Sequence, residues 1–112
     1  MHEALEQFAA AEPQLAALVA SCKSDLQASE VWLFGSRARG EARSGSDWDI
    51  LAVIPDDAPP SVDKTSNIWK VKRRSGVRAD LLTVRMSDFI EALDTVNTLS
   101  HAVVREGVRL DV

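Results

Sequence analysis

Gly35-Ser36-Arg37-Ala38-Arg39-Gly40-Glu41-Ala42-Arg43-Ser44-Gly45-Ser46-Asp47-Trp48-Asp49-Ile50-Leu51-Ala52-Val53-Ile54 is the stretch whose reading decides the fold. Its second half, Trp48 to Ile54, is an apolar run halted by Pro55, which predicts a strand. Residues two apart on a strand point to one face, so Asp47 and Asp49 emerge side by side, roughly 7 Å apart at Cα, while Trp48 turns the other way into a core. The strand is apolar on both faces, with Trp48, Ile50 and Ala52 on one and Leu51 and Val53 on the other, and such strands are covered on both sides.

Upstream, Val31 to Phe34 is a β-branched and aromatic run that stops at Gly35, a second strand feeding a short helical stretch over Ser36 to Ala42. A strand-to-helix turn leaves backbone N–H groups free, and the helix dipole favours negative charge there. Gly35 allows an anion to approach the backbone, the Ser36 hydroxyl adds a donor, and the guanidinium groups of Arg37 and Arg39 suit phosphate. Asp47 and Asp49 repel each other unless a hard cation sits between them, and carboxylate oxygens are what Mg²⁺ prefers. A third strand, Val77 to Val84, carries Asp80 within an apolar run, where a carboxylate is costly unless it has a partner or a task. Beside the Asp49 strand it completes a metal site or takes a proton from an attacking hydroxyl.

Around this centre, Leu15, Leu18, Val19, Cys22 and Leu26 form one apolar helical stripe, with Pro13 in its first turn. Leu5 and Phe8 mark a separate short helix. Asp56 to Pro60 is a loop and Val62 to Arg74 a helix closed by Gly76. Ser87 is placed as the N-cap of a helix carrying Phe89, Ile90 and Leu93. A further helix spans Leu99 to Glu106, Gly107 ends it, and Val108 to Val112 forms a last strand. The order predicts an α/β (α+β) fold, a small mixed sheet of about four strands flanked by helices, in a single domain over residues 1–112. So short a chain leaves the covering of both sheet faces in question, which points to a partner.

Composition narrows the class. The net charge is −4, so the chain is not expected to bind nucleic acid stably by itself, whereas a nucleotide arriving with its own metal is attracted by carboxylates. One cysteine, Cys22, excludes an internal disulfide and a cysteine zinc cluster; His2 and His101 form no metal-binding helix motif. There is no signal-peptide pattern or apolar run of membrane-spanning length, so a cytoplasmic protein is expected.

Gly35-Ser36, ten intervening residues, then Asp47-x-Asp49 resembles the signature of the minimal nucleotidyltransferases of the DNA polymerase β superfamily, and Asp80 resembles that superfamily's third carboxylate. The resemblance covers Val31 through Val84. It implies two Mg²⁺ ions at Asp47, Asp49 and Asp80, ATP as substrate, and nucleotide binding by Gly35, Ser36, Arg37 and Arg39. It further implies Asp80 as the group that activates the acceptor hydroxyl for attack on the α-phosphate. Larger members carry an added acceptor-holding domain, for which 112 residues leave no room. The minimal family is similar to the antitoxin half of HEPN/MNT toxin–antitoxin pairs, which implies transfer of AMP to a tyrosine of a HEPN toxin within a hetero-oligomer. The chain has no Tyr of its own. Two other readings stand beside this one: a small-molecule nucleotidyltransferase, held as a homodimer, and a non-enzymatic antitoxin that neutralises its partner by occlusion. The basic run Lys70, Lys72, Arg73 and Arg74 reads either as a solvated face or as a docking patch, with Trp69 among it. Trp32 and Trp48 read as core.

Overall fold

Every residue of the strand Trp48–Ile54 is buried except Asp49, and the rest of the fold is arranged to achieve this. The computed structural model of the chain describes residues 3–112, so His2 lies outside the described residues. In chain order the elements are α1 (Glu3–Ala9), α2 (Leu15–Asp25), β1 (Glu30–Phe34), α3 (Gly35–Arg39), β2 (Trp48–Ile54), α4 (Thr65–Ser75), β3 (Ala79–Arg85), α5 (Met86–Ala92), α6 (Leu99–Glu106) and β4 (Val108–Arg109). They build a four-stranded mixed sheet in the order β3-β2-β1-β4. β1 runs antiparallel to both β2 and β4, while β2 and β3 are parallel and joined through the crossover helix α4.

Strand alternation divides the side chains between two cores. Val31 and Leu33 of β1, Trp48, Ile50, Ala52 and Ile54 of β2, and Ala79 and Leu81 of β3 face α2 and α4, where Leu15, Leu18, Val19, Cys22 and Val71 close the larger core. The opposite face carries Leu51 and Val53, packed with Trp32, Phe34, Leu82 and Val84 against Phe89 of α5 and Val103 of α6. Helices thus cover both faces, although Ile90, Val96, Leu99 and Val104 remain exposed on the α5–α6 side. Burial, aided by nearby Asp25, pushes the Cys22 thiol up to about 12, so it stays a protonated core residue.

Several boundaries differ from the sequence reading. Pro13 lies in the turn before α2 rather than in its first turn. Residues 60–63 are turns, with Val62 N–H bonded to the Pro59 carbonyl, so α4 begins at Thr65. β3 begins at Ala79 because Val77 N–H is taken by Ser75 Oγ after the left-handed Gly76. Ser87 does not cap α5; its own N–H is bonded by the Asp56 carboxylate at 3.0 Å, from a loop distant in sequence. Thr98 does cap α6, accepting from His101 N–H, and His101 Nδ1 lies 2.8 Å from the Leu93 carbonyl, a structural tie between α5 and α6.

β4 is only two residues long, and the chain end is secured by a side chain instead. Asp111, with its side chain 2% exposed, accepts from Val31 N–H at 3.0 Å and from Arg109 at 3.1 and 2.6 Å, with Lys23 at 3.8 Å. Burial by itself would raise this carboxyl, but the hydrogen bonds from Arg109 and Val31 N–H outweigh it and hold it below the ordinary carboxylate value. A carboxyl lowered on folding stabilises above its unfolded value, and that contribution is lost as pH falls through the folded one. Asp111→Ala is therefore expected to cost about 2–3 kcal/mol in urea unfolding at neutral pH, and the difference from wild type should close below about pH 4.

Candidate active site

Parallel register brings Asp49 of β2 directly beside Asp80 of β3. Both sit second in their strands, at one end of the sheet, on the face of the smaller core. Asp80 is exposed, so its placement there does not carry the burial cost read from the sequence; its position in the register is what singles it out. Asp47 lies just before β2. The Asp49 carboxyl is raised, first by burial and then by the negative charges of Asp80 and Asp47, with Arg39 partly offsetting them. The three acids and Arg39 therefore share one electrostatic neighbourhood.

Gly35 fits under this cluster for a steric reason. It has φ +73°, and a β-carbon built on it would collide with Asp49 Oδ2 and come within 3.0 Å of Asp49 Cγ. Only glycine lets the end of β1, whose Phe34 is the register partner of Asp49, turn into α3 beneath that carboxylate. Ser36 follows, half-buried; its carbonyl accepts from Glu41 N–H at 2.9 Å. Its hydroxyl has no hydrogen bond among the described residues.

The two arginines of α3 part company. Arg39 remains on the acid side, bonded to Glu41 at 2.8 Å and 3.6 Å from Glu106 of α6. Arg37 turns to the other side: Nη2 donates to the Ser46 carbonyl at 2.8 Å, and the guanidinium lies 4.4 Å from the centroid of the Trp48 ring. Its Nε is buried without a partner. Arg37 thus braces the 40–47 loop that delivers Asp47, and its planar group is engaged there rather than turned toward the acids.

Arg78 went unmarked in the sequence as a site residue. Its Nε is 3.4 Å from Asp47 Oδ1, both side chains largely exposed, and its carbonyl receives Trp48 N–H at 2.8 Å. It also lines a cavity of about 530 Å³ with Arg37, Ser46, Trp48 and Gly76. Its position two residues before Asp80 was the available signal, but it pairs with Asp47 and not with Asp80.

The donor set is all carboxylate oxygen, which suits a hard divalent cation such as Mg²⁺, Ca²⁺ or Mn²⁺. Among the described residues no three His, Cys, Asp or Glu side chains converge into a ready-made metal cluster, and Asp47 is paired with Arg78. The in-register pair Asp49 and Asp80 suits Mg²⁺ nonetheless, since that ion is held by one or two carboxylates together with substrate phosphates.

Two consequences are measurable. Gly35→Ala should lower stability by about 2 kcal/mol or more in urea unfolding, from the left-handed backbone and the collision with Asp49. A carboxyl raised on folding destabilises while ionised, and relief comes as pH falls through the raised value. Asp49→Asn should accordingly raise the melting temperature at neutral pH by a few degrees, and the gain should fade in acid.

Comparison with known proteins identifies the family. The family model described as nucleotidyltransferase domain matches residues 15–104. No curated protein matches the chain. Among solved structures, the chain is similar to one chain of a toxin–antitoxin crystal structure with AMP-PNP, at 20% identity and TM-score 0.54, covering 84% of this chain and 70% of that one. It is also similar to a protein from Sulfolobus solfataricus proposed to be a nucleotidyltransferase, at 22% identity and TM-score 0.49, covering 90% and 85%. A family match over four-fifths of the chain, on a mixed sheet that sets Asp49 beside Asp80, means that this protein belongs to the nucleotidyltransferase domain family.

Proposed function

We propose that this nucleotidyltransferase moves AMP from ATP to a hydroxyl, in the first place a tyrosine, of a HEPN-type toxin partner, and so acts as its antitoxin. The observation that carries the transfer chemistry is the side-by-side register of Asp49 and Asp80, with Gly35 turning beneath Asp49. The toxin–antitoxin neighbour with AMP-PNP supports the choice of partner and nucleotide by analogy of fold.

Asp49 and Asp80 would hold Mg²⁺, with Asp47 joining them on leaving Arg78. Bound there, two such ions would supply charge neutralisation for the attacking and leaving oxygens of the phosphoryl group. The chain's own residues do the remainder. The Gly35–Ser36 turn presents backbone N–H groups and a hydroxyl to the terminal phosphates, and Arg39, on the acid side, adds a cation to that end. Arg37 fixes the 40–47 loop so that Asp47 arrives at the right height. Asp80, exposed and at the strand end, is open to an incoming acceptor and takes its proton. The acceptor oxygen then bonds the α-phosphorus, the bond to the bridging oxygen breaks, and pyrophosphate carries the electron pair away.

Incubation with ATP, Mg²⁺ and the product of the neighbouring gene, followed by mass measurement of both chains, tests this reading. The expected result is a gain of one AMP on the partner, reduced about 100-fold or more by Asp47→Ala or Asp80→Ala. Unmodified partner that is nonetheless neutralised, with neutralisation surviving both substitutions, would replace transfer by occlusion.

A further inference from the structure

The charge of this chain is not spread evenly. Residues 64–78 contain Lys64, Lys70, Lys72, Arg73, Arg74 and Arg78, six of the thirteen Lys and Arg, and no Asp or Glu. The rest of the chain carries seven cations against seventeen acids, a net −10. The basic segment is α4 and its exit. Val71 and Ser75 anchor the helix to the core, which leaves Lys70, Arg73 and Arg74 exposed. Among the described residues Arg74 pairs with Asp25 at 2.9 Å and Arg78 with Asp47, while Lys64, Lys70, Lys72 and Arg73 have no acid within ion-pair distance.

An aromatic ring lies in the middle of this surface. Trp69 is 55% exposed, with the Arg73 guanidinium 4.9 Å from its ring centroid. Two shallow concavities, of about 310 and 360 Å³, meet at Trp69 and Arg73. The first also reaches Gly76, which is shared with the 530 Å³ cavity beside Arg78. A cationic strip therefore runs from Trp69 to Arg78, whose guanidinium pairs with Asp47. Exposed Trp beside Arg on a rigid helix is the composition of an interface hot spot.

We propose that the exposed face of α4, from Trp69 to Arg78, is the docking surface for a short acidic segment of the protein that receives the nucleotide. This deepens the reading that the acceptor is a partner protein. The strip is one helix long, about 16 Å for its eleven residues. A longer polyanion such as single-stranded RNA would overrun it into a surface of net negative charge. One face of the indole is already covered by Arg73, which leaves less ring for base stacking. A compact acidic peptide meets neither obstacle, and its seat would end at Arg78, beside Asp47.

The test uses the whole chain, isotope-labelled, titrated with a decaglutamate peptide and in parallel with decauridylate. The peptide should shift amide signals along residues 65–78, weaken steeply with salt, and bind at least tenfold less tightly to Lys70→Glu/Arg73→Glu and to Trp69→Ala. Trp69→Phe should recover most of the loss. Binding should persist in Asp49→Asn/Asp80→Asn, so a failure of the transfer chemistry would leave this result standing. Shifts centred on Arg37 and Arg39, affinity unchanged by the α4 substitutions, or tighter binding of the RNA than of the peptide would each overturn the proposal. Unaltered amide dispersion elsewhere certifies that the variants are folded.

Discussion

The parallel pairing of β2 with β3 is the constraint on which the structure depends. It sets Asp49 against Asp80 at one end of the sheet, where two like charges are brought together instead of apart. A parallel pair requires a crossover of some length. Here that crossover is the 55–78 segment, and it must pass over the larger core to return beside β2. Arg85, at the end of β3, holds the loop portion in place: it donates to the carbonyls of Pro55, Ala58 and Pro59 and to both oxygens of Asp63 at 2.9 and 3.1 Å. The Arg85 hydrogen bonds keep the Asp63 carboxyl below its ordinary value. Register at the acid end is thus backed by a guanidinium hub at the other end of the same strand.

The two sheet faces divide the labour. The larger core, with Leu15, Leu18, Leu26, Leu33, Ile50 and Ile54 fully buried, supplies most of the apolar stabilisation. The smaller core on the α5–α6 side is where β2 and β3 release their acids. Strand alternation makes this possible within one stretch: Trp48 enters the larger core under Arg37 and Phe8, while Asp49 remains on the face of the smaller core. Moving β2 by one residue would bury the acids and expose the tryptophan, so the core fixes the site.

How much of this was legible depended on whether a feature was local. Asp47-x-Asp49 beside a strand could be read from its period, and Gly35 from its place at a strand end; its collision with the Asp49 carboxylate could not. The strand-and-helix order was readable from apolar runs and breakers. Some element starts were not: Asp56, remote in sequence, reaches Ser87 N–H, and Ser75 Oγ takes Val77 N–H at the expected start of β3 only once Gly76 has turned. Arg37 and Arg39 looked equivalent, being two apart. On a helix such neighbours point about 200° apart, so one faces Trp48 and the other Asp49. The strand around Asp80 was readable and its register beside Asp49 was not, and the reason given for singling it out, burial in an apolar strand, does not apply to an exposed residue.

The chain's ends and its charges follow from the same geometry. With acids gathered where β2 and β3 begin, the fold carries a local electrostatic cost that a bound cation would relieve, and stability must come from elsewhere. β4 adds only two residues of ladder, too few to hold β1 from its free side. Asp111 makes up the difference: its carboxylate accepts the Val31 N–H that a longer β4 would have bonded, and ties Arg109 and Lys23 to the same point. One buried carboxylate is therefore satisfied by three donors at the edge of the sheet, while Asp49 is left with like-charged neighbours at its end. The contrast in direction, Asp111 held low by its hydrogen bonds and Asp49 raised by burial and like charges, separates a carboxylate whose lone pairs the fold satisfies from one it leaves among other acids.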